Sequence, residues 1–312
     1  MKRALLLLLA ALLAHPLPAA GGEDSVRAGH PLLERARQRE IERAKEPERT
    51  AQFLGSGALR EAQHQLQQAR VPDSENCARS LGAIHFANLH ASVGQARASD
   101  GDYLGAAADY RRALACRPRD MDLLGALGGA LFDARDFRGA REANDMALGI
   151  DPRSVSANRL AGNLDYVEER WANAIARFRY VAASDEDRVR AGYGQLMYWL
   201  AQRRGGIAKP EFVARMPAEG WPQPLLLYMR GEYTEAELIG PIDAGDADSN
   251  MQPNTSTDER LCEALFYVGE EYWARGQPDV ARDYFAALVN IKVIYFLEHG
   301  LALAEIAKLR AR

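Results

Sequence analysis

Cysteine, excess positive charge and long apolar runs are all scarce in this sequence. Its 312 residues carry a formal net charge of −4, which argues against nucleic acid or an anionic lipid surface as the main partner. The three cysteines, Cys77, Cys116 and Cys262, are too few for a disulfide framework. Cys77 and Cys116 lie nearest in sequence, and the sequence leaves open whether they pair or whether no pair forms.

Motifs that would indicate catalysis are also missing from the sequence. No serine occupies a GxSxG elbow, no glycine-rich loop precedes a basic phosphate-binding residue, and no two histidines have the HxxxH spacing of a metal site. Asp246, Asp248 and Asn250 imitate the start of a calcium loop. However, Met251 replaces the required glycine and Thr257 replaces the bidentate glutamate. We therefore expect a protein that is not an enzyme, with no catalytic residues, no metal and no cofactor.

The beginning of the chain has the pattern of a secretory signal peptide. Lys2 and Arg3 precede an apolar run at 4–14, and small residues and prolines follow at 16–21. The run is shorter than the about 20 residues that a bilayer span needs, and no later segment approaches that length without charges. No cysteine follows the run to carry a lipid anchor. We expect residues 1–20 to be cleaved and the mature protein to be periplasmic or secreted, without a membrane span.

The strongest signal is a period of 34 residues. Glycine, alanine and large aromatic residues recur at that step in three columns: Gly94, Gly128 and Gly162; Ala106, Ala140 and Ala174; Tyr103, Phe137 and Trp171. This period and these residue types are those of the tetratricopeptide repeat (TPR), in which each unit is two antiparallel helices. Small residues are needed where the two helices cross, and the aromatic residue fills the wedge at the start of the second helix. Gly269, Ala281 and Phe285 have the same mutual spacing as Gly94, Ala106 and Tyr110, and they predict a detached unit near the end.

The pattern predicts an all-α TPR helical solenoid with a C-terminal capping helix. The expected segments are a signal peptide at 1–20, a charged leader at 21–50, N-terminal capping helices at 51–86, TPR repeats at 87–206, an irregular helical and loop segment at 207–258, and a C-terminal TPR-like hairpin with its capping helix at 259–312. The leader is rich in Arg and Glu, so we expect a solvated helix or disorder there. Thr234 with Glu237, and Ser256 with Glu259, predict capping boxes for two later helices.

Three stretches outside the repeat columns carry a family resemblance. Trp221–Tyr228, Phe266–Gly269 and Phe296–His299 resemble the corresponding parts of the NlpI-type TPR lipoproteins, and the similarity extends from about Ser80 to Leu309. The resemblance implies an adaptor that binds murein hydrolases and a tail-specific periplasmic protease. The lipoprotein cysteine of that family is absent here, so the outer-membrane anchor is not expected.

The TPR pattern implies a concave groove lined by the first helix of each unit. Ten residues are predicted to face it: Asn88, Gln95, Asp122, Phe132, Arg159, Asn163, Tyr166, Arg190, Tyr193 and Met197. Arg159 and Asn163 are four apart and share a helix face, with Arg190 expected beside them on the next helix. A basic residue and an asparagine occupy such places in TPRs that bind C-terminal carboxylates. An ordinary solvated groove is the alternative.

Aromatic residues of the groove have two interpretations. Phe132, Tyr166 and Tyr193 are candidates for exposed peptide anchors, and they fit equally well as packing residues between repeats. The expected function is a scaffold for protein partners of the cell envelope, with a homodimer left open. The alternatives are a structural part of a secretion or outer-membrane assembly machine, or an envelope hydrolase that uses the clustered carboxylates of the irregular segment, Glu219, Glu235, Asp243 and Asp246.

Overall fold

The protein is all-α in every part that the structure describes. The computed structural model describes residues 29–45, 55–68, 82–213, 221–245, 256–291, 293 and 297–311, which hold fourteen helices and no strand. The helices are α1 (Pro31–Lys45), α2 (Gly55–Gln68), α3 (Ala83–Ser99), α4 (Tyr103–Cys116), α5 (Met121–Asp133), α6 (Phe137–Ile150), α7 (Val155–Val167), α8 (Trp171–Ser184), α9 (Arg188–Arg204), α10 (Gln223–Met229), α11 (Glu235–Asp243), α12 (Thr257–Ala274), α13 (Pro278–Ile291) and α14 (Leu297–Ala311). The predicted signal peptide, 1–20, lies outside the described residues.

Helices α3 to α9 form a continuous solenoid. Each helix packs against the next one in the chain, and short connections join them into the hairpins α3/α4, α5/α6 and α7/α8, followed by α9. The helical repeat architecture predicted from the 34-residue period is therefore confirmed. We call the surface formed by α3, α5, α7 and α9 the first-helix face.

Three of the glycines lie where the two helices of a hairpin touch. A Cβ at the glycine would lie 2.9, 2.7 and 2.9 Å from an aromatic ring sixteen residues further on, in the pairs Gly94–Tyr110, Gly162–Phe178 and Gly269–Phe285. At these distances the ring or the backbone would have to move. The third pair belongs to the hairpin α12/α13, so the detached unit has the same internal contact as the repeats.

The turn inside each hairpin also repeats. Gly101, Arg135 and Glu169, spaced by 34, have positive φ angles of 78°, 63° and 58°. In each case the next residue donates its backbone N–H to the carbonyl five positions earlier, which closes the end of the first helix. Only the first of the three turns has glycine, the residue that adopts this conformation without strain.

The irregular segment contains two short helices, α10 and α11. The predicted capping boxes are confirmed: Thr234 with Glu237 begins α11, and Ser256 with Glu259 begins α12. The calcium-like residues Asp246 to Asn250 lie outside the described residues. No helix of the described part is both long and apolar enough to cross a membrane.

The C-terminal helices lie on the first-helix face. Helix α12 packs against α9, and α14 packs against α12, α13, α5 and α7. Helix α12 is buried on nearly every side from Thr257 to Glu271. A terminal cap was predicted for the end of the superhelix, whereas α12 and α14 contact the first helices of three consecutive units.

The charged leader differs from the expectation of a solvated or disordered segment. Its described part forms α1, which packs on α11, α12 and α13 and buries Leu32, Leu33 and Ala36. These apolar residues share one helix face. The arginines around them bind carboxylates of the helices on which α1 packs. Arg39 Nε lies 2.6 Å from Asp258 Oδ1. A short apolar stripe with flanking ion pairs is enough to dock a helix, although its mean composition is that of a solvated segment.

The cysteines are in different chemical states. Cys116 is disulfide-bonded. Cys77, the cysteine nearest to it in sequence, lies outside the described residues. Cys262 is a free, buried thiol in α12. Burial raises its pKa well above the ordinary value, and the neighbouring Glu298 carboxylate adds to the shift. A thiol held protonated in this way is unreactive.

Candidate ligand pocket on the first-helix face

All ten predicted groove residues lie on first helices, but not all of them reach solvent. Asn88, Gln95, Asp122 and Arg190 are exposed. Arg159 and Tyr193 are half-buried. The other four are buried: Phe132, Asn163, Tyr166 and Met197. The exposed residues come from α3, the start of α5 and the start of α9, because α12 and α14 cover the remainder of α5, α7 and α9.

Two of the three aromatic candidates are packing residues. Tyr166 is fully buried, and its hydroxyl donates to Glu270 Oε2 at 2.6 Å. Phe132 is buried edge-on against Phe137, with ring centroids 5.3 Å apart. Neither ring is an exposed anchor for a peptide, so the packing interpretation applies to both. Sequence spacing could not distinguish the two interpretations because the covering helices come from more than 90 residues further along the chain.

The predicted carboxylate clamp is already occupied by a carboxylate of the chain. The Arg159 guanidinium is ion-paired with Asp185, a side chain that is almost fully buried. Arg190 Nη2 lies 3.2 Å from the other oxygen of the same carboxylate. The two arginines therefore share one internal partner, which reduces their attraction for an external carboxylate.

Four of the predicted residues nevertheless line one cavity. It has a volume of about 350 Å³ and lies among α7, α8, α9, α12 and α14. Its walls are Arg159, Asn163, Phe178, Tyr193, Gly194, Met197, Glu263, Tyr267, Leu297 and Glu298. The repeats supply one wall and the C-terminal helices the other, so the cavity exists only because the C-terminal unit packs on the first-helix face.

Two buried glutamates of the C-terminal helices contribute to the wall. Glu263 accepts hydrogen bonds from Trp221 Nε1 at 2.6 Å and from the Tyr193 hydroxyl at 2.8 Å. Burial raises the pKa of Glu263 well above its ordinary value, and the nearby Glu298 carboxylate raises it further. Glu298 accepts from the Tyr267 hydroxyl at 3.2 Å, and burial raises its pKa to about 6. Two desolvated carboxyl groups therefore belong to the wall of one cavity.

Two residues of the cavity wall, Asn163 and Arg159, carry buried polar atoms without a hydrogen-bond partner. Asn163 is 5% exposed, and its Oδ1 has no hydrogen-bond partner. The Nε of Arg159 is likewise buried without a partner, although its guanidinium pairs with Asp185 through Nη2. A buried polar atom left unpaired costs about 1–3 kcal/mol, so a ligand that pairs with both would gain affinity.

Sequence reasoning missed Glu263, Tyr267 and Glu298. The signal that could have found them is the presence of glutamates inside otherwise apolar helical stripes, since a carboxylate is rarely placed in a core without a partner. The residues that TPR spacing selects belong to the repeats alone, whereas these three belong to the C-terminal helices that pack across the repeats.

A second buried network holds the C-terminal helices in position. The Arg204 guanidinium of α9 pairs with Glu270 of α12 and, at 3.1 Å, with Glu305 of α14. The same guanidinium lies 4.0 Å from the ring centroid of Trp273. Burial raises the pKa of Glu270 to about 7 in spite of the arginine. This network joins three helices through contacts within the chain.

The carboxylates that would serve a hydrolase are not paired in the described residues. Glu235 and Asp243 lie at opposite ends of α11, and Asp243 is ion-paired with Arg35 of α1. Glu235 accepts from the Tyr272 hydroxyl at 2.5 Å. Glu219 and Asp246 lie outside the described residues. Among the described residues, no group of three or more His, Cys, Asp and Glu side chains is placed to hold a metal ion.

A comparison with known protein families found no family model that matches the sequence. The TPR and NlpI-type resemblances therefore stay predictions that rest on the residues quoted above.

Proposed function

We propose that the protein is a non-enzymatic adaptor of the periplasm or the extracellular space, which binds segments of cell-envelope proteins on its first-helix face. The observation that carries this proposal is the combination of a helical repeat solenoid with a cavity on that face. The cavity has apolar walls and a few polar residues, which is the usual composition of a binding site. Export rests on the signal-peptide pattern at 1–20.

The candidate partners follow from the resemblance to the NlpI-type TPR lipoproteins. Murein hydrolases and a tail-specific protease are the partners which that resemblance implies. The exposed polar residues Asn88, Gln95 and Asp122 lie on α3 and α5. They would contact the part of a partner segment that extends beyond the cavity. Each exposed contact of this kind contributes little to the binding free energy by itself.

Affinity purification of the tagged mature protein from a periplasmic extract, with mass spectrometry, tests the proposal. The variant carries alanine at Asn88, Gln95 and Asp122. The matched control carries alanine at three exposed second-helix residues, Arg111, Asp145 and Arg179. We expect the first triple variant to lose most of the captured envelope enzyme and the control to retain it.

The same experiment identifies failure. Equal capture by both triple variants would contradict binding on the first-helix face. The extract could instead yield secretion or outer-membrane assembly components in place of a murein hydrolase or a protease. That result would support a scaffold function and contradict the partners implied by the resemblance.

A further inference from the structure

We infer that the cavity between α7, α9, α12 and α14 binds the cationic side chain of a lysine or arginine residue in a partner's peptide segment. This inference rests on the proposed function and specifies what its site recognises. The charge, the hydrogen-bond inventory and the apolar walls of the cavity lead to it independently.

The first argument is the hydrogen-bond inventory of the deep wall. The Tyr193 and Tyr267 hydroxyls already donate, to Glu263 and Glu298 respectively. What remains on this wall is the acceptor capacity of Glu298 and the unpaired Oδ1 of Asn163. A ligand that matches acceptors only must be a donor, and an ammonium or guanidinium group is a donor with no acceptor of its own.

The second argument is the charge. Arg159 is balanced by Asp185, so it adds little net charge to the cavity. Glu263 and Glu298 are buried together, and no basic side chain is within ion-pair distance of either one in the described structure. A cation in the cavity would supply the missing counter-charge at a site that solvent screens weakly.

The third argument is the shape of the remaining wall. Phe178, Met197 and Leu297 are apolar, and the rings of Tyr193 and Tyr267 complete the lining. An alkyl stem that ends in a cation is compatible with such a lining, since the stem packs on apolar groups and aromatic faces attract the charge. A carboxylate or phosphate is disfavoured by the same glutamates.

The mouth of the cavity indicates that the cation is part of a peptide. Arg159 is the most exposed of the charged side chains that line the cavity, at 29% of its side-chain surface. Its guanidinium carries only donors, so it would bind a carbonyl oxygen. A lysine or arginine residue offers both groups at once, with its main-chain carbonyl at Arg159 and its cation at Glu298 and Asn163. A free amine offers only the cation.

Calorimetric titration of the full mature chain with short blocked peptides tests the inference. The probes are acetyl-Gly-Lys-Gly-amide and its arginine counterpart. Their neutral counterparts contain norleucine and citrulline, and 1,5-diaminopentane serves as the free amine. We expect the lysine or arginine peptide to bind at least about tenfold more tightly than its neutral counterpart, which corresponds to about 1.4 kcal/mol.

Three variants locate the binding. Glu298→Gln removes the charge and keeps the shape, and Asn163→Leu removes the unpaired acceptor. Each should weaken binding of the cationic peptide about tenfold or more. Asp133→Asn is the matched control, because Asp133 is another desolvated carboxyl that does not line the cavity. It should leave binding unchanged. Circular dichroism verifies that each variant is folded.

The possible results distinguish failure of the cation-binding inference from failure of the proposed adaptor function. Binding of the norleucine and lysine peptides with equal affinity, or no binding of either cationic peptide, would overturn the inference while envelope partners could still be captured. Equal binding of 1,5-diaminopentane would overturn the assignment to a peptide. Binding that depends on Glu298, without capture of any envelope protein, would support the inference and contradict the adaptor function.

Discussion

The buried carboxyl of Glu298 predicts an unusual dependence of stability on pH. Burial raises its pKa from 4.5 in the unfolded chain to about 6 in the folded protein. The folded protein therefore holds this proton more tightly, and the contribution to stability is fully present below pH 4.5 and is lost as pH rises to about 6. The difference between the two pKa values corresponds to about 2 kcal/mol of folding free energy.

Glu298→Gln removes the cost of burying the ionised carboxylate, and its amide oxygen can still accept the hydrogen bond from Tyr267. We expect the variant to be about 2 kcal/mol more stable than the wild type at pH 8 and nearly equal to it at pH 4. Urea unfolding at several pH values, followed by tryptophan fluorescence from Trp221 and Trp273 near the C-terminal helices, measures the difference.

Asp109 supplies a comparison of opposite sign. It is buried, bonded to His90 and Arg112, and these partners lower its pKa in spite of desolvation. Its contribution is present above the unfolded pKa and is lost as pH falls through the folded one. Asp109→Asn should therefore be less stable than the wild type at neutral pH.

Two results would refute the reasoning for Glu298. One is a Glu298→Gln variant that is less stable than the wild type at pH 8, and the other is a stability difference from the wild type that is the same at pH 8 and pH 4.

Three further predictions concern packing, ion pairing and backbone strain. Gly162→Ala should lower the free energy of unfolding by about 1–3 kcal/mol, because the new Cβ would lie 2.7 Å from the Phe178 ring. Denaturant unfolding measures the loss, and an unchanged midpoint would show that the ring does not restrict this position. Arg204→Met should cost about 3–5 kcal/mol, since it leaves the buried Glu270 without its cation, and hydrogen exchange should increase in α12 and α14. Exchange that is unchanged there would show that the network does not hold these helices. Arg135→Gly should stabilise the folded protein by about 1 kcal/mol, because glycine adopts the positive φ of this turn without strain. Thermal unfolding measures the gain, and a melting temperature below that of the wild type would contradict strain at this turn.

Local features of the fold were predictable from the sequence. The 34-residue period depends on contacts within one hairpin, such as Gly162 against Phe178, and these are set by residues sixteen apart. The capping boxes at Thr234 and Ser256 depend on residues three apart. In both cases the interacting partners are close in sequence, so spacing alone identifies them.

The candidate site depended on contacts that spacing does not encode. Tyr193 meets Glu263 across 70 positions, and Tyr166 meets Glu270 across 104. The repeat pattern correctly assigned both tyrosines to first helices but could not tell that helices from the C-terminal unit cover them. For the same reason, the ion pairing of Arg159 with Asp185 was not expected, because the TPR pattern selects inward positions of first helices and Asp185 follows α8.

The docking of α1 has a consequence for how the chain acquires its structure. In a simple solenoid each unit needs only its neighbours, so folding can advance along the chain as it is made. Here Arg35 and Arg39 bind Asp243 and Asp258, partners that are 208 and 219 residues away. Helix α1 is synthesised before its binding surface and must wait for nearly all of the chain. Closure of so large a loop is slow, and a chain truncated before α11 would leave α1 without any of the three helices on which it packs.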